Sequence, residues 1–240
     1  MNIAGVAIDE QHPCRYIFEV SNAHNGSFVR AKQLIASARD AGADFVKLQC
    51  YLPDELVAIR GDGPAPEPWG SQGWTMKRLY EKAQTPHRWF GELFHYATQC
   101  GIVAFSSVFG PHSLALLESL DCPAYKIARL DNGNAELHRM VDATHKPVIV
   151  SVAAHQAANA DALLYCPPGY PQEPMAFTRD MWRLYTGLSY HGTDPAVPMQ
   201  AVTTGAKLIE CHVMLDDEPS ELEASVCLTV TQFTTLVRGW

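Results

Sequence analysis

Residues 16–49 read YIFEVSNAHNGSFVRAKQLIASARDAGADFVKLQ. The first five residues are a continuous apolar run broken only by Glu19. A polar, Gly-containing turn with Asn22, His24 and Asn25 follows. The next stretch has helical spacing and predicts a helix near 28–41, and DFVKLQ (44–49) is a second strand-like run. An apolar run without in–out alternation is the mark of a strand covered on both faces, as in a parallel sheet. A strand, a helix and a second strand in this order therefore make a βαβ unit. A carboxylate at the end of such a strand, facing a polar turn, points to a bound ligand.

The same unit recurs along the chain. IVAFSS (102–107), AYKIA (124–128), PVIVSV (147–152), ALLYC (162–166), TGLS (186–189) and KLIECH (207–212) complete a set of eight strand-like runs. Most precede a helical pattern: a helix near 86–100 after a long insertion, then PHSLALLESL, AELHRMVDAT, PMAFTRDMWRLY, PAVPMQAVTTG and a last helix near 231–238. Only a short Ala-rich stub follows the fifth run. Eight units in 240 residues predict an α/β fold of the (β/α)8 TIM barrel type, with a shortened helical segment after strand 5, as a single domain over residues 1–240. The Pro/Gly-rich piece GDGPAPEPWGSQGW (61–74) reads as a long loop or lid on the active face.

Composition narrows the function. A formal net charge of −8 with no Lys/Arg run argues against nucleic-acid partners. Seven scattered Cys with no C-x-x-C fit a reducing cytosol. No signal-peptide pattern and no apolar run near the ~20 residues of a membrane span are found, so no membrane partner and a cytoplasmic location are expected.

A barrel places its chemistry at the C-terminal ends of strands. Glu19, Lys47, Gln49, Ser107, Lys126, Ser151, Ser189, His191, Glu210 and His212 all fall there. His191 and His212 close successive strands ~4.8 Å apart, close enough to share one cation, or simply to hydrogen-bond at the rim. Glu210 shares the strand face of His212 and is a third ligand or a substrate-orienting group. Two lysines in a barrel mouth need a compensating anion, a phosphate or carboxylate, to which the three serines can donate. Glu19 and Glu210 are the acid/base candidates. No G-x-G-x-x-G or P-loop pattern is present, so nothing supports a dinucleotide or ATP reading.

The motifs resemble the N-acetylneuraminate (sialic acid) synthase family. FEVSNAHNGS is similar to its AEIGSNHNGS, AGADFVKLQ to AGADAVKFQ, AYKIA to YKIAS, KPVIVS to KPVILS, YCPPGYP to HCTSEYP, GLSYH to GLSDH, and LIECHVMLD to VIEKHFTLD. The resemblance implies a barrel transferase that condenses phosphoenolpyruvate with an aldehyde, sugar or sugar-like. The products are a 2-keto-3-deoxy acid and phosphate, and a divalent metal, Mn2+ or Mg2+, assists. It further implies His191 and His212 as metal ligands, and Lys47, Lys126, Ser107, Ser151 and Ser189 as phosphoenolpyruvate contacts. Glu19, Glu210 and Tyr170 would surround the aldehyde and the attacking water.

Departures from the family are local. The serine of YKIAS is Arg129, which would grip a phosphate or carboxylate bidentately or turn outward to Asp131. Tyr190 replaces the acid before the metal histidine, and Pro167 and Pro168 replace a polar pair. In the family's GPDHxAS loop the Asp aligns with Glu221 and the His with Leu222. The chain is also expected to lack the family's C-terminal antifreeze-like domain, and a homodimer is the expected assembly. These changes predict an acceptor other than N-acetylmannosamine, with Arg60, Asp62 and Trp69 of the second loop as candidate contacts. The alternatives are a barrel that binds phosphoenolpyruvate or a sugar phosphate without turnover, a metal-dependent hydrolase, and a Schiff-base aldolase.

Overall fold

The structure, a computed structural model, describes residues 1–154, 158–173 and 175–239. A small antiparallel hairpin, Asn2–Ile3 with Val6–Ala7, comes first. Eight strands then form the barrel: β1 (Arg15–Glu19), β2 (Phe45–Cys50), β3 (Val103–Val108), β4 (Tyr125–Ile127), β5 (Val148–Val152), β6 (Ala162–Tyr165), β7 (Gly187–Tyr190) and β8 (Leu208–Met214). All pair in parallel in chain order, and β8 pairs with both β7 and β1, so the sheet closes. The expected TIM barrel is thus the fold. A ninth short strand, β9 (Cys227–Thr229), adds to β8 at its C-terminal end and sets Cys227 beside His212. No helix among the described residues is long and apolar enough to cross a membrane.

The helices are α1 (Phe28–Ala41), α2 (Pro53–Arg60), α3 (Met76–Ala83), α4 (Phe90–Cys100), α5 (Pro111–Ser119), α6 (Ala135–Asp142), α7 (Ala196–Thr204) and α8 (Val230–Arg238). Local chemistry marks their ends. In α1 the Ser27 side chain accepts from the Arg30 amide, and Gly42 takes the left-handed cap at φ 88°. Thr229 and Gln232 form a capping box on α8.

Two expected helical stretches differ. PMAFTRDMWRLY gives only a 3-10 turn, Arg179–Arg183. Its aromatic residues are used in packing instead: Phe177 stacks with Trp182, Tyr185 with Tyr165, and Trp182 donates to Thr204 on α7. Aromatic side chains are only moderate helix formers, so tertiary contacts win there. The Ala-rich stub falls partly on residues 155–157, which lie outside the described residues; the flanking 153–154 and 158–160 are not helical.

Strand parity divides the interior into layers, because residues two apart share a face. Ile17, Phe45, Phe105, Ile149 and Leu208 form a fully buried apolar floor. The next inward positions are Glu19, Lys47, Ser107, Ser151 and Glu210, and they are polar. The floor supplies the packing that holds this charged layer in place.

Candidate active site

The polar layer opens into a cavity of about 150 Å³ at the C-terminal end of the barrel. Lys47, Gln49, Ser107, Lys126, Arg129, Ser151, Tyr170, Ser189, His191, Glu210 and His212 all line it. Of the residues read as catalytic, phosphoenolpyruvate-binding or metal-binding, Glu19 alone is off the wall. It lies behind Lys47, fully buried, accepting from the Ser21 amide at 2.8 Å and ion-paired with the Lys47 ammonium.

Charges on the floor of the cavity are matched. The Lys126 Nζ donates to both oxygens of Glu210, at 2.7 and 2.9 Å, and the Ser189 hydroxyl adds a third bond to the same carboxylate at 3.0 Å. Lys47 donates to Ser107 at 2.7 Å and lies 3.8 Å from Glu210. Burial alone would raise Glu210, but Lys126 and Lys47 hold it well below the usual carboxylate range. Burial opposes the charge on Lys47 as well, yet Glu19 and Glu210 keep it above its ordinary value. Burial pulls Lys126 down, against the attraction of Glu210.

Two groups on the wall stand outside this balance. The Ser151 hydroxyl is buried with no hydrogen-bond partner. The Arg129 guanidinium has no ion-pair or hydrogen-bond partner among the described residues. Asp131, the outward partner considered for it, is buried and bound by Arg60 at 2.5 Å. That contact also removes Arg60 from the candidate acceptor groups. Asp62 accepts from the Lys77 amide at 2.9 Å, and neither it nor Trp69 lines the cavity. None of these three second-loop residues lines the cavity.

The two histidines meet with ring centroids 4.7 Å apart, and Tyr170 stacks 5.2 Å from His191. Burial holds His191 neutral, down to about 3, and His212 nearby adds to the effect. Gln172 was not foreseen as a neighbour. Its Oε1 accepts from the His191 amide at 3.0 Å, and its Nε2 lies 3.1 Å from Nδ1 of the same ring. That nitrogen is also 3.1 and 3.2 Å from the Pro167 and Ser189 carbonyls.

Glu223 was missed as well. Its Oε2 lies 3.2 Å from His212 Nδ1, and its Oε1 accepts from the Tyr170 hydroxyl at 2.5 Å. Burial opposes its ionisation, but His212 and Tyr170 lower it to about 2. Burial likewise opposes a charge on His212, and Glu223 overrides that and raises it. Glu221, the residue that sequence alignment with the family singles out, instead pairs with Lys82 at the surface, at 2.8 Å.

A closed parallel barrel with a buried, charge-lined cavity at the C-terminal ends of its strands defines a barrel enzyme. The chain belongs to the NeuB family, whose model matches residues 34–240. It is 32% identical to the pseudaminic acid synthase of Helicobacter pylori, over 95% of this chain and 73% of that protein. It is 25% identical to the human N-acetylneuraminate-9-phosphate synthase, over 95% and 70% of the two chains. Among solved structures, a sialic acid synthetase from Leptospira borgpetersenii, in complex with citrate, superposes with a TM-score of 0.85. It has 21% identity and covers 99% of this chain and 86% of that one. The sialic acid synthase resemblance is borne out, and with it the reading of the chain as a synthase-type transferase.

Proposed function

We propose that this chain condenses phosphoenolpyruvate with a sugar-like aldehyde, forming a 2-keto-3-deoxy acid and phosphate. Residues 1–240 act as a single catalytic domain. The observation that carries this reading is the anion subsite. Lys47 and Lys126 are already balanced by Glu19 and Glu210, while Arg129 and Ser151 offer unspent donors into the same cavity. An Arg and a hydroxyl beside two fixed ammonium groups suit a ligand with both a carboxylate and a phosphate.

Lys126 is held in place by two bonds to Glu210, so it serves as a charge rather than as a free amine for a Schiff base. In the reaction a bond forms between C3 of phosphoenolpyruvate and the aldehyde carbon. Water adds at C2, the bond between C2 and the bridging oxygen of the phosphate ester breaks, and that oxygen leaves with phosphorus as inorganic phosphate. Lys47, Lys126 and Arg129 hold the departing phosphate and the new carboxylate as charge moves between them. Gln49, Ser107, Ser151 and Ser189 fix the oxygens in place. Glu19, Glu210 and Tyr170 handle protons around the aldehyde and the water, Glu19 through Lys47.

The donor set fits a divalent cation. Glu223 occupies Nδ1 of His212, which leaves the Nε2 lone pair for a metal. Burial holds His191 neutral, with Gln172 Nε2 against its Nδ1 at 3.1 Å, and a neutral imidazole keeps one ring-nitrogen lone pair for a metal. His191 and His212 would hold Mn2+ or Mg2+, which when bound supplies Lewis-acid polarisation of the aldehyde.

Identity is higher to synthases named for pseudaminic acid, 32%, than to those named for N-acetylneuraminate 9-phosphate, 25%, so a product of the pseudaminic acid kind is favoured. The test is phosphate release with phosphoenolpyruvate, Mn2+ or Mg2+, and a panel of amino-sugar aldehydes. Release should require all three, with N-acetylmannosamine a poor acceptor. Binding of phosphoenolpyruvate without release for any aldehyde would leave the binding-only barrel.

A further inference from the structure

We propose that Glu223 is the positioning residue of the two-histidine site. It fixes the ring of His212 so that Nε2 faces the cation, and it holds the Tyr170 hydroxyl against the same site. This inference rests on the proposed reading of His191 and His212 as metal ligands.

Four observations converge on Glu223. Each of its carboxylate oxygens has one partner in the cavity wall, His212 Nδ1 at 3.2 Å and Tyr170 at 2.5 Å. Its side chain is only 13% exposed, so the contact is shielded from solvent. His212, Glu223 and Cys227 bring one donor atom each within 4.8 Å of one another, so Glu223 is held close against the imidazole. The register of β8 places His212 between Glu19 on β1 and Cys227 on β9, so the sheet fixes its backbone on both sides and the ring is what Glu223 orients. A ligating His that donates its other N–H to a carboxylate has its tautomer and ring angle fixed, and such partners are worth 10–100-fold in metal affinity.

The turn after β1 explains how an acid at the mouth is held so firmly. Asn22 accepts from Ser220, whose hydroxyl oxygen accepts from the Glu223 amide, at 3.0 and 3.1 Å. Asn25 donates to the Pro219 carbonyl at 3.1 Å and accepts from the Glu221 amide at 2.9 Å. Arg30, at the start of α1, is buried and pairs with Glu218. The polar residues of SNAHNG therefore clamp the 218–223 loop, and that loop delivers Glu223.

The test is Mn2+ binding by calorimetry on the full chain. Wild type, Glu223→Gln, Glu223→Asp and Tyr170→Phe are compared, with thermal melts to confirm folding. Glu223→Gln keeps the shape and removes the charge. It should weaken Mn2+ binding tenfold or more at an unchanged melting temperature, Glu223→Asp should recover part of the loss, and Tyr170→Phe should leave Mn2+ affinity within about twofold. Equal Mn2+ affinity in Glu223→Gln and wild type would overturn the role of Glu223 while leaving the metal site standing. Wild type that binds no Mn2+ would overturn both, and phosphate release without added metal would then show that the condensation reading survives.

Discussion

At the residue scale, Arg129 is the substitution with the largest consequence. A guanidinium stands where the resembling family has a hydroxyl, and its sequence neighbour Asp131 is bound by Arg60. A charged hydrogen bond contributes about 1.5–3 kcal/mol, so Arg129→Ser should raise KM for phosphoenolpyruvate about tenfold or more. Steady-state kinetics check this, and an unchanged KM would place Arg129 outside the anion subsite. Lys47, Lys126, His191 and His212 were legible in the sequence because strand periodicity fixes which residues end on the inner face. Glu223 and Gln172 were not. Both lie on loops, whose side-chain direction follows no period, and Glu223 reaches its partners only through Ser220, Asn22 and Asn25.

At the element scale, the insertion between β2 and α4 carries α2 and α3, and residues 61–74 form the loop that joins them. Tyr51, Leu56 and Phe109 form a small apolar cluster beneath it, with Tyr80 of α3 packed against them. Arg60, the last residue of α2, lies over the Phe109 ring and binds Asp131 in the turn that carries Arg129. The insertion thus braces the anion subsite from outside. Asp131→Asn removes the charge facing Arg60 in a place where the Asp side chain is 2% exposed. It should cost about 2 kcal/mol in urea unfolding, and an Arg60→Met/Asp131→Asn double variant should cost less than the sum of the single changes. Strict additivity would mean that the pair does not brace the turn.

At the scale of the whole molecule, the buried histidine His24 ties the β1–α1 turn to the segment before α4. Its Nδ1 accepts from the Gly26 amide at 3.0 Å, and its Nε2 lies 3.1 Å from the Thr85 hydroxyl. Burial lowers it from 6.5 to about 4. The unfolded chain takes up a proton on this ring as pH falls through 6.5, and the folded chain does so only near 4. Its stabilising contribution is therefore complete above pH 6.5 and is lost toward pH 4, at about 1.4 kcal/mol per pH unit. His24→Gln should flatten the dependence of stability on pH across that window in denaturant titrations, and an unaltered slope would show that other groups control it. The sequence by itself determined the barrel, the eight strand positions and the polar layer at their ends, because apolar runs and a two-residue period are local properties of the chain. Only the tertiary structure decided which charges are spent on one another and which remain for a ligand. Lys126 with Glu210, Arg60 with Asp131 and His212 with Glu223 are 84, 71 and 11 residues apart. Closing the barrel is what brings such residues within hydrogen-bond reach, and no local pattern records that distance.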